Sequence, residues 1–468
     1  MRPALLLALV LAAAPARAQI DRRAEAAVAT REFVATHNFS HGRGLAIVPG
    51  IFELVELLGE PPLRPIYRRL LEESFGLNMT PEGRAVGLFP LKEPGYSLGA
   101  FGCVACHSGK AAGQVYIGLG NKSIDVGTIG RAITRFEKPY EWRKSRRTPE
   151  ANAVIERGFA FAHKLTHPRI ANLTKGLVSI NHVNIWFYEQ AGMELPPSIP
   201  RGGTRVPNLW GIEAKATQAG LFYDGLGKAG SIAWLALPEL TAGQTAQGIR
   251  DDFARIQRLW WLITRLLPPA YPFAIDRAKA ARGQAVYAES CMKCHGSYER
   301  DAADLPVFLP PLFNTLAEVG TDADRADATT DLLRSLIARS PLSDLVQAQD
   351  RPKGYFANRL VATWANFPYL HNGSVPTLAD LLEKPAARPR FWSLKDQGER
   401  DRFDETRVGL TLPRDSGIAR SKLEVLGRQG FRDVYSVERE GHSNQGHDFG
   451  TDLPAADKQA LLEYLKTL

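Results

Sequence analysis

The chain has 468 residues, 44% of them hydrophobic and 23% charged, with a formal net charge of +8 at pH 7. That length is too great for one simple core, so two domains are expected. The positive balance is mild and dispersed, which excludes nucleic acid as a partner.

The N-terminus has the form of a secretory signal. Arg2 precedes an apolar stretch from Leu5 to Ala14, and Ala16-Arg17-Ala18 makes a small-x-small site before Gln19. Cleavage after Ala18 is expected, giving a periplasmic or secreted protein whose charge falls from +8 to +6 as Arg2 and Arg17 leave. The apolar run is too short to span a bilayer, and no later segment approaches the roughly 18 to 20 apolar residues needed. Ile51 to Leu58 and Leu63 to Leu71 then show helical apolar spacing.

The first Cys-x-x-Cys-His word, Cys103-Val104-Ala105-Cys106-His107, follows a stretch from Pro94 to Gly102 that reads as a loop. After it, Gly113-Gln114 and Gly118 to Asn121 predict a tight turn near the word; no strand-then-helix context makes them a phosphate cradle. The run Arg143-Lys144-Ser145-Arg146-Arg147 could dock an acidic redox partner, although such runs are more commonly a solvated face. Phe253 to Leu267, with Trp260 and Trp261, predicts a helix, and Pro268-Pro269 with Pro272 makes 268–275 the linker.

Arg277 to Ser290 predicts a helix that ends at the second word, Cys291-Met292-Lys293-Cys294-His295, with Gly283 and Tyr287 on a closely packed face. Ala455 to Leu468 predicts a second helix with Leu461, Leu462, Tyr464 and Leu465 as its apolar stripe. Two such helices crossing beside a haem make a small cytochrome c fold. The fold class expected is therefore mainly α: two cytochrome c-like domains with long loops, each with one covalently attached haem, the N-terminal one elaborated. The ranges are 1–18 for the signal, 19–267 for the first domain and 268–468 for the second.

The two words use every cysteine in the chain. Two thiols three positions apart can add across the vinyl groups of one haem, and the next-door imidazole then lies under the iron. Two covalently bound haem c groups are the cofactors expected, on Cys103, Cys106 and His107, and on Cys291, Cys294 and His295. The sixth position of each iron decides function: an occupied one suits electron transfer, an open one takes dioxygen or peroxide. Methionine cannot fill it at the second haem, because the chain has only Met1, Met79, Met193 and Met292, and Met292 lies inside the word. His447 is favoured, in the Gly-rich loop from Gly441 to Gly450, with His442 as runner-up in the same loop. His371 better suits a haem propionate or the turn around it. For the first haem, His163, His167, His182 and Met193 are in range, and an open position is preferred.

These residues resemble the bacterial dihaem cytochrome c peroxidase superfamily, most nearly the branch containing the dihaem rubber oxygenase. The resemblance rests on Cys103 to Asn121, on Arg205 to Trp210 with Leu221 to Gly225, on the second word, on Phe367 to Leu378, and on Gly446 to Leu468. It implies that the N-terminal haem does the chemistry at an open site while the C-terminal, bis-histidine haem relays electrons. It implies an aromatic bridge between them, Trp210 or else Tyr223, and a distal glutamate whose nearest match, out of register, is Glu239. Relatives bind calcium between the domains, and no dense carboxylate loop marks such a site here. The chain departs from the peroxidases in having no histidine from Leu195 to Val206. A pocket without acid/base groups, lined by Leu209, Leu221 and Phe222, suits dioxygen and an apolar or olefinic substrate. The expected function is a periplasmic oxygenase-like oxidoreductase fed by a small redox protein or small-molecule donor. The alternatives are a hydrogen-peroxide-reducing peroxidase and a plain electron carrier.

Overall fold

The computed structural model describes residues 15–35, 46–47, 68–93, 96–142, 144–241, 243–300, 306–308, 313–393, 403–412 and 417–468. The apolar stretch of the expected signal and the helix expected over Ile51 to Leu58 lie outside them. Of Leu63 to Leu71 only the end is described, entering a short helical segment, Arg69–Ser74, in which Leu71 is buried. Helices dominate, joined by short antiparallel strand pairs. Among the described residues no helix is long and apolar enough to cross a membrane.

Helix α1 (Pro15–Ala35) runs across the expected cleavage point at Ala18. Its Ala29 and Phe33 are fully buried, and Glu25 pairs with Arg265 at 3.2 Å. Strands β1 (Leu88–Glu93) and β2 (Tyr96–Phe101) then pair antiparallel, Leu88 opposite Phe101. The stretch before the first Cys-x-x-Cys-His word is thus a strand and not the loop expected. Its glycines suggested irregular backbone, but a paired partner strand satisfies the same amides, and tertiary pairing overrides local preference.

The word itself forms a single helical turn, α2 (Cys103–Cys106), closed by His107 N donating to Cys103 O at 2.9 Å. Strands β3 (Ser108–Ala111) and β4 (Gln114–Ile117) follow as a hairpin. Ala112 and Gly113 both have positive φ at its tip, the backbone a two-residue hairpin turn needs. The tight turn expected near the word is this hairpin.

Helix α3 (Ile212–Ala219) follows Trp210, and α4 (Phe253–Thr264) occupies the range predicted for it and packs on α1. Helix α5 (Arg277–Ser290) leads into α6 (Met292–His295), the second word, where His295 N donates to Cys291 O at 3.0 Å. Helix α7 (Ala455–Leu465) crosses α5 as predicted. A Cβ on Gly283 would stand 1.9 Å from Ala460 O, so the two backbones meet there and only glycine fits. Tyr287 and Tyr464 flank the crossing with ring centroids 5.2 Å apart. One apolar cluster joins Val104, Leu209 and Trp210 with Leu259, Tyr271, Tyr287, Trp364 and Leu461.

Candidate haem-binding site

Around the first word, buried Asn121 acts as a lock. Its amide donates to Ala105 O at 3.0 Å and to Gly76 O at 2.8 Å, and its backbone N–H donates to Cys106 O at 2.7 Å. The His107 ring faces Pro207 O through Nδ1 at 3.1 Å. Donation of Nδ1–H to that carbonyl leaves Nε2 as the lone-pair nitrogen, the tautomer a metal ligand needs. Burial pushes His107 down to about 4, so the imidazole is neutral. Trp210 is fully buried against the same unit: its indole N–H donates to Ile117 O at 3.1 Å. The indole lies flush against Gly118, where a Cβ would stand 2.6 Å from Nε1.

The second word repeats this arrangement. His295 Nδ1 faces Asn358 O at 2.7 Å, and burial again lowers the imidazole's pKa. Tyr287 OH donates to Gly296 O at 2.6 Å, tying α5 to the end of the word. His447 stands opposite, its ring centroid 6.1 Å from that of His295. Its backbone is in the left-handed region, φ +51°, and its N–H donates to Val319 O at 2.8 Å. Burial first, then nearby His295 and Arg388, push His447 down to about 3.

Arg388, which the sequence did not single out, holds that loop. The guanidinium is buried and donates to Asn444 O at 2.6 Å, Gly446 O at 2.8 Å and His447 O at 3.1 Å, and also to Glu383 O at 2.9 Å. His442 has a different neighbourhood. Both its nitrogens are engaged by protein, Nε2 with Thr174 Oγ1 at 3.0 Å and Nδ1 with Glu440 O at 2.8 Å.

The remaining histidines separate cleanly. His371 is buried, stacked on Tyr355 at 4.2 Å, and its Nε2 has no hydrogen-bond partner among the described residues. Its backbone carbonyl accepts from Arg205 N and Thr204 Oγ1, each at 2.9 Å, so it also organises the turn. His163 is exposed and paired with Glu137 at 3.0 Å, His167 caps a short helix, and His182 faces Ser179 O at 2.9 Å. Met193 is exposed, and His37 and His41 lie outside the described residues.

Five residues expected at the first haem are scattered. Leu209 shares Trp210's cluster, Phe222 packs edge-on against Trp234 in another, and Leu221 touches both. Tyr223 belongs with Ala326 and Tyr355, with Lys215 Nζ 4.5 Å over its ring. Glu239 is buried, and desolvation pushes its carboxyl up to about 8. It lies near enough to raise the Cys103 thiol, behind the larger effects of burial and Cys106. Glu239, the nearest match to the implied distal glutamate, thus puts an ionisable carboxyl within electrostatic reach of the first word, against the expectation of a pocket without acid/base groups.

None of the four cysteines is in a disulfide, and burial raises the thiol pKa of each. Their spacing on one helical turn, with a neutral imidazole next in sequence, fits a covalently attached haem at both words. Buried donors without hydrogen-bond partners among the described residues, Arg205 Nε and His371 Nε2, suit a propionate. Among the described residues no three His, Cys, Asp or Glu side chains gather to hold a metal ion, and Asp322 and Asp324 accept from backbone amides instead.

Residues 354–393 match the family described as RoxA-like, cytochrome c-like. A cytochrome c-like domain implies haem c. The RoxA-like segment contains Asn358, His371 and Arg388, and so includes the acceptor for His295 and the clamp on the His447 loop. The chain is also similar to two uncharacterized proteins of Sinorhizobium fredii (strain NBRC 101917 / NGR234). Protein y4iM is 31% identical over 211 residues, 39% of this chain and 44% of the relative. Protein y4iJ is 29% identical over 269 residues, 44% of this chain and 42% of the relative. The chain thus spans less than half the length of each.

Proposed function

We propose that this protein is an exported dihaem c-type oxidoreductase with one closed and one open haem. Cys103 and Cys106 attach the first haem and Cys291 and Cys294 the second, with His107 and His295 as proximal ligands and His447 as the sixth ligand of the second. The observation that carries this reading is the pair of rings at His295 and His447, 6.1 Å apart. Two imidazoles bound to one metal at about 2 Å each have ring centroids roughly 6 Å apart. Among the described residues no imidazole stands against His107 in that way. An open haem binds dioxygen or peroxide, while a bis-histidine haem carries electrons.

The protein's own groups divide the work accordingly. Pro207 O and Asn358 O orient the proximal imidazoles, and Arg388 holds the loop that presents His447. Trp210, packed on the first word's hairpin, is the aromatic nearest to a relay role; Tyr223 lies in a separate cluster. Leu209, whose N–H donates to Gly118 O on the first word's hairpin at 2.8 Å, supplies apolar surface suited to an apolar or olefinic substrate, and Leu221 belongs to the same cluster. Electrons come from a small redox protein or small-molecule donor. Lys144 of the basic run is already paired with Glu156 and Glu141, which weakens that run as the docking face.

One observation favours a second reading, peroxide reduction. Glu239 is a buried carboxyl that holds its proton at neutral pH, the property of a group that delivers protons during O–O cleavage. Optical and EPR spectra of the purified protein separate these readings. One high-spin or dioxygen-binding haem beside one low-spin haem is expected, and turnover of hydrogen peroxide with reduced cytochrome c would select the peroxidase. Two low-spin haems that take up no ligand would refute both and leave an electron carrier. His447→Ala turns the second haem high-spin and His442→Ala does not; the reverse result would overturn the ligand assignment.

A further inference from the structure

The two proximal carbonyls belong to adjacent places in the fold. Pro207 O, which faces His107, lies in the peptide before Asn208, and Asn358 O, which faces His295, lies in the peptide before Arg359. The side chains that follow those two peptides meet: Arg359 Nη2 donates to Asn208 Oδ1 at 3.4 Å, across 151 residues of sequence. Arg359 is buried, and its other terminal nitrogen has no hydrogen-bond partner among the described residues. That nitrogen lies against Gly211, 3.3 Å from where a Cβ would stand. The surroundings are strongly desolvating, and burial pushes Arg359 down to about 10 and neighbouring Lys215 down to about 7.

We propose that Arg359 and Asn208 form a latch shared by both haem words, holding the Pro207–Asn208 and Asn358–Arg359 peptides together and so positioning His107 and His295 in concert. The inference rests on the reading of those imidazoles as axial ligands. It makes Arg359 and Asn208 positioning residues, since each acts through a backbone carbonyl. Weakening an Nδ1–H···O=C bond makes the imidazole a poorer donor to iron, which destabilises the oxidised state and raises the midpoint potential. A latch transmits that change across the pair, whereas a local contact does not.

The test is a redox titration of the full-length holoprotein, followed optically and by EPR so that each haem is resolved. Asn208→Ala alters no charge, and Arg359→Lys keeps the charge but loses the guanidinium reach. Asn208→Ala is expected to raise the potential of the haem at His295 as well as that at His107. Arg359→Lys is expected to raise that at His107 as well as that at His295. The double variant shifts each by no more than the larger single effect, the non-additive signature of one interaction. A shift confined to each variant's own haem, additive shifts, or no shift would overturn the latch. Should Arg359→Lys fail to fold, the response of the His295 haem to Asn208→Ala decides alone. Haem count and spectra of the unaltered protein test the underlying ligand reading separately.

Discussion

Replacing Gly283 with alanine sets two well-measured effects against each other. Gly283 is interior to α5, where alanine is better than glycine by about 1 kcal/mol from helix propensity alone. The crossing with α7 opposes this. The new Cβ would lie 1.9 Å from Ala460 O, 2.5 Å from its carbonyl carbon and 2.9 Å from Tyr464 Cβ. A close C···O contact needs about 3.3 Å, so the helices must part by roughly 1.4 Å. Two of those three neighbours are backbone atoms that no rotamer change can move aside. Overpacking of this kind costs about 1 to 3 kcal/mol and sometimes more, and parting the helices also loosens Tyr287 against Tyr464. Because the backbone atoms cannot yield, the cost falls in the upper half of that range, and the net expectation is a loss of about 1 to 2 kcal/mol. The same displacement moves the chain that follows the His447 loop, so the low-spin fraction of the second haem should fall. Urea unfolding followed at the haem absorbance, with a spectrum taken before denaturant is added, measures both. An unchanged or higher midpoint with an intact low-spin spectrum would show that α5 and α7 do not touch at this point.

Three further outcomes follow from the buried charges and imidazoles. Arg388→Met removes the donors that hold Asn444 O, Gly446 O and His447 O, so the variant should lose roughly 2 to 4 kcal/mol and become partly high-spin at the second haem, read by denaturation and EPR. Glu239 is raised from 4.5 to about 8, so the folded state binds the extra proton and stability falls as pH rises through that window, by up to about 1.4 kcal/mol per pH unit. Glu239→Gln should flatten that slope between pH 4.5 and about 8 in pH-resolved unfolding, and an unchanged slope there would refute the assignment. His442 is lowered from 6.5 to about 4, so the unfolded state binds protons first and stability falls as pH drops through that interval. His442→Gln should reduce the acid slope by one proton's share while leaving the haem spectrum unchanged.

Much of the site was legible because its signals are local. Cys-x-x-Cys-His puts its three functional side chains within one helical turn, so spacing alone specifies the unit, and both words do form that turn. The crossing of α5 and α7 was readable for a similar reason: Gly283, Tyr287 and the Leu461 to Leu465 stripe are patterns along single helices. A census of methionines pointed to histidine opposite the second word, and the glycines around His447 marked a backbone able to present the ring that stands 6.1 Å from His295. The strand Tyr96–Phe101 is not legible in the sequence because its partner, Leu88–Glu93, supplies hydrogen bonds that its own composition does not announce.

The sequence by itself determined the reactive groups, their number and their local geometry. Only the tertiary structure decided what each imidazole faces. His107 meets a carbonyl 100 residues away, His295 one 63 residues away, and Arg388 the loop of a histidine 59 residues away. These acceptors are backbone oxygens, which every residue possesses, so no residue type or spacing marks them in advance. The same holds for Glu239, whose raised pKa comes from burial near the first word and not from its neighbours in sequence. Covalent chemistry is written in short words, whereas second-partner hydrogen bonds and desolvation exist only once distant segments have packed.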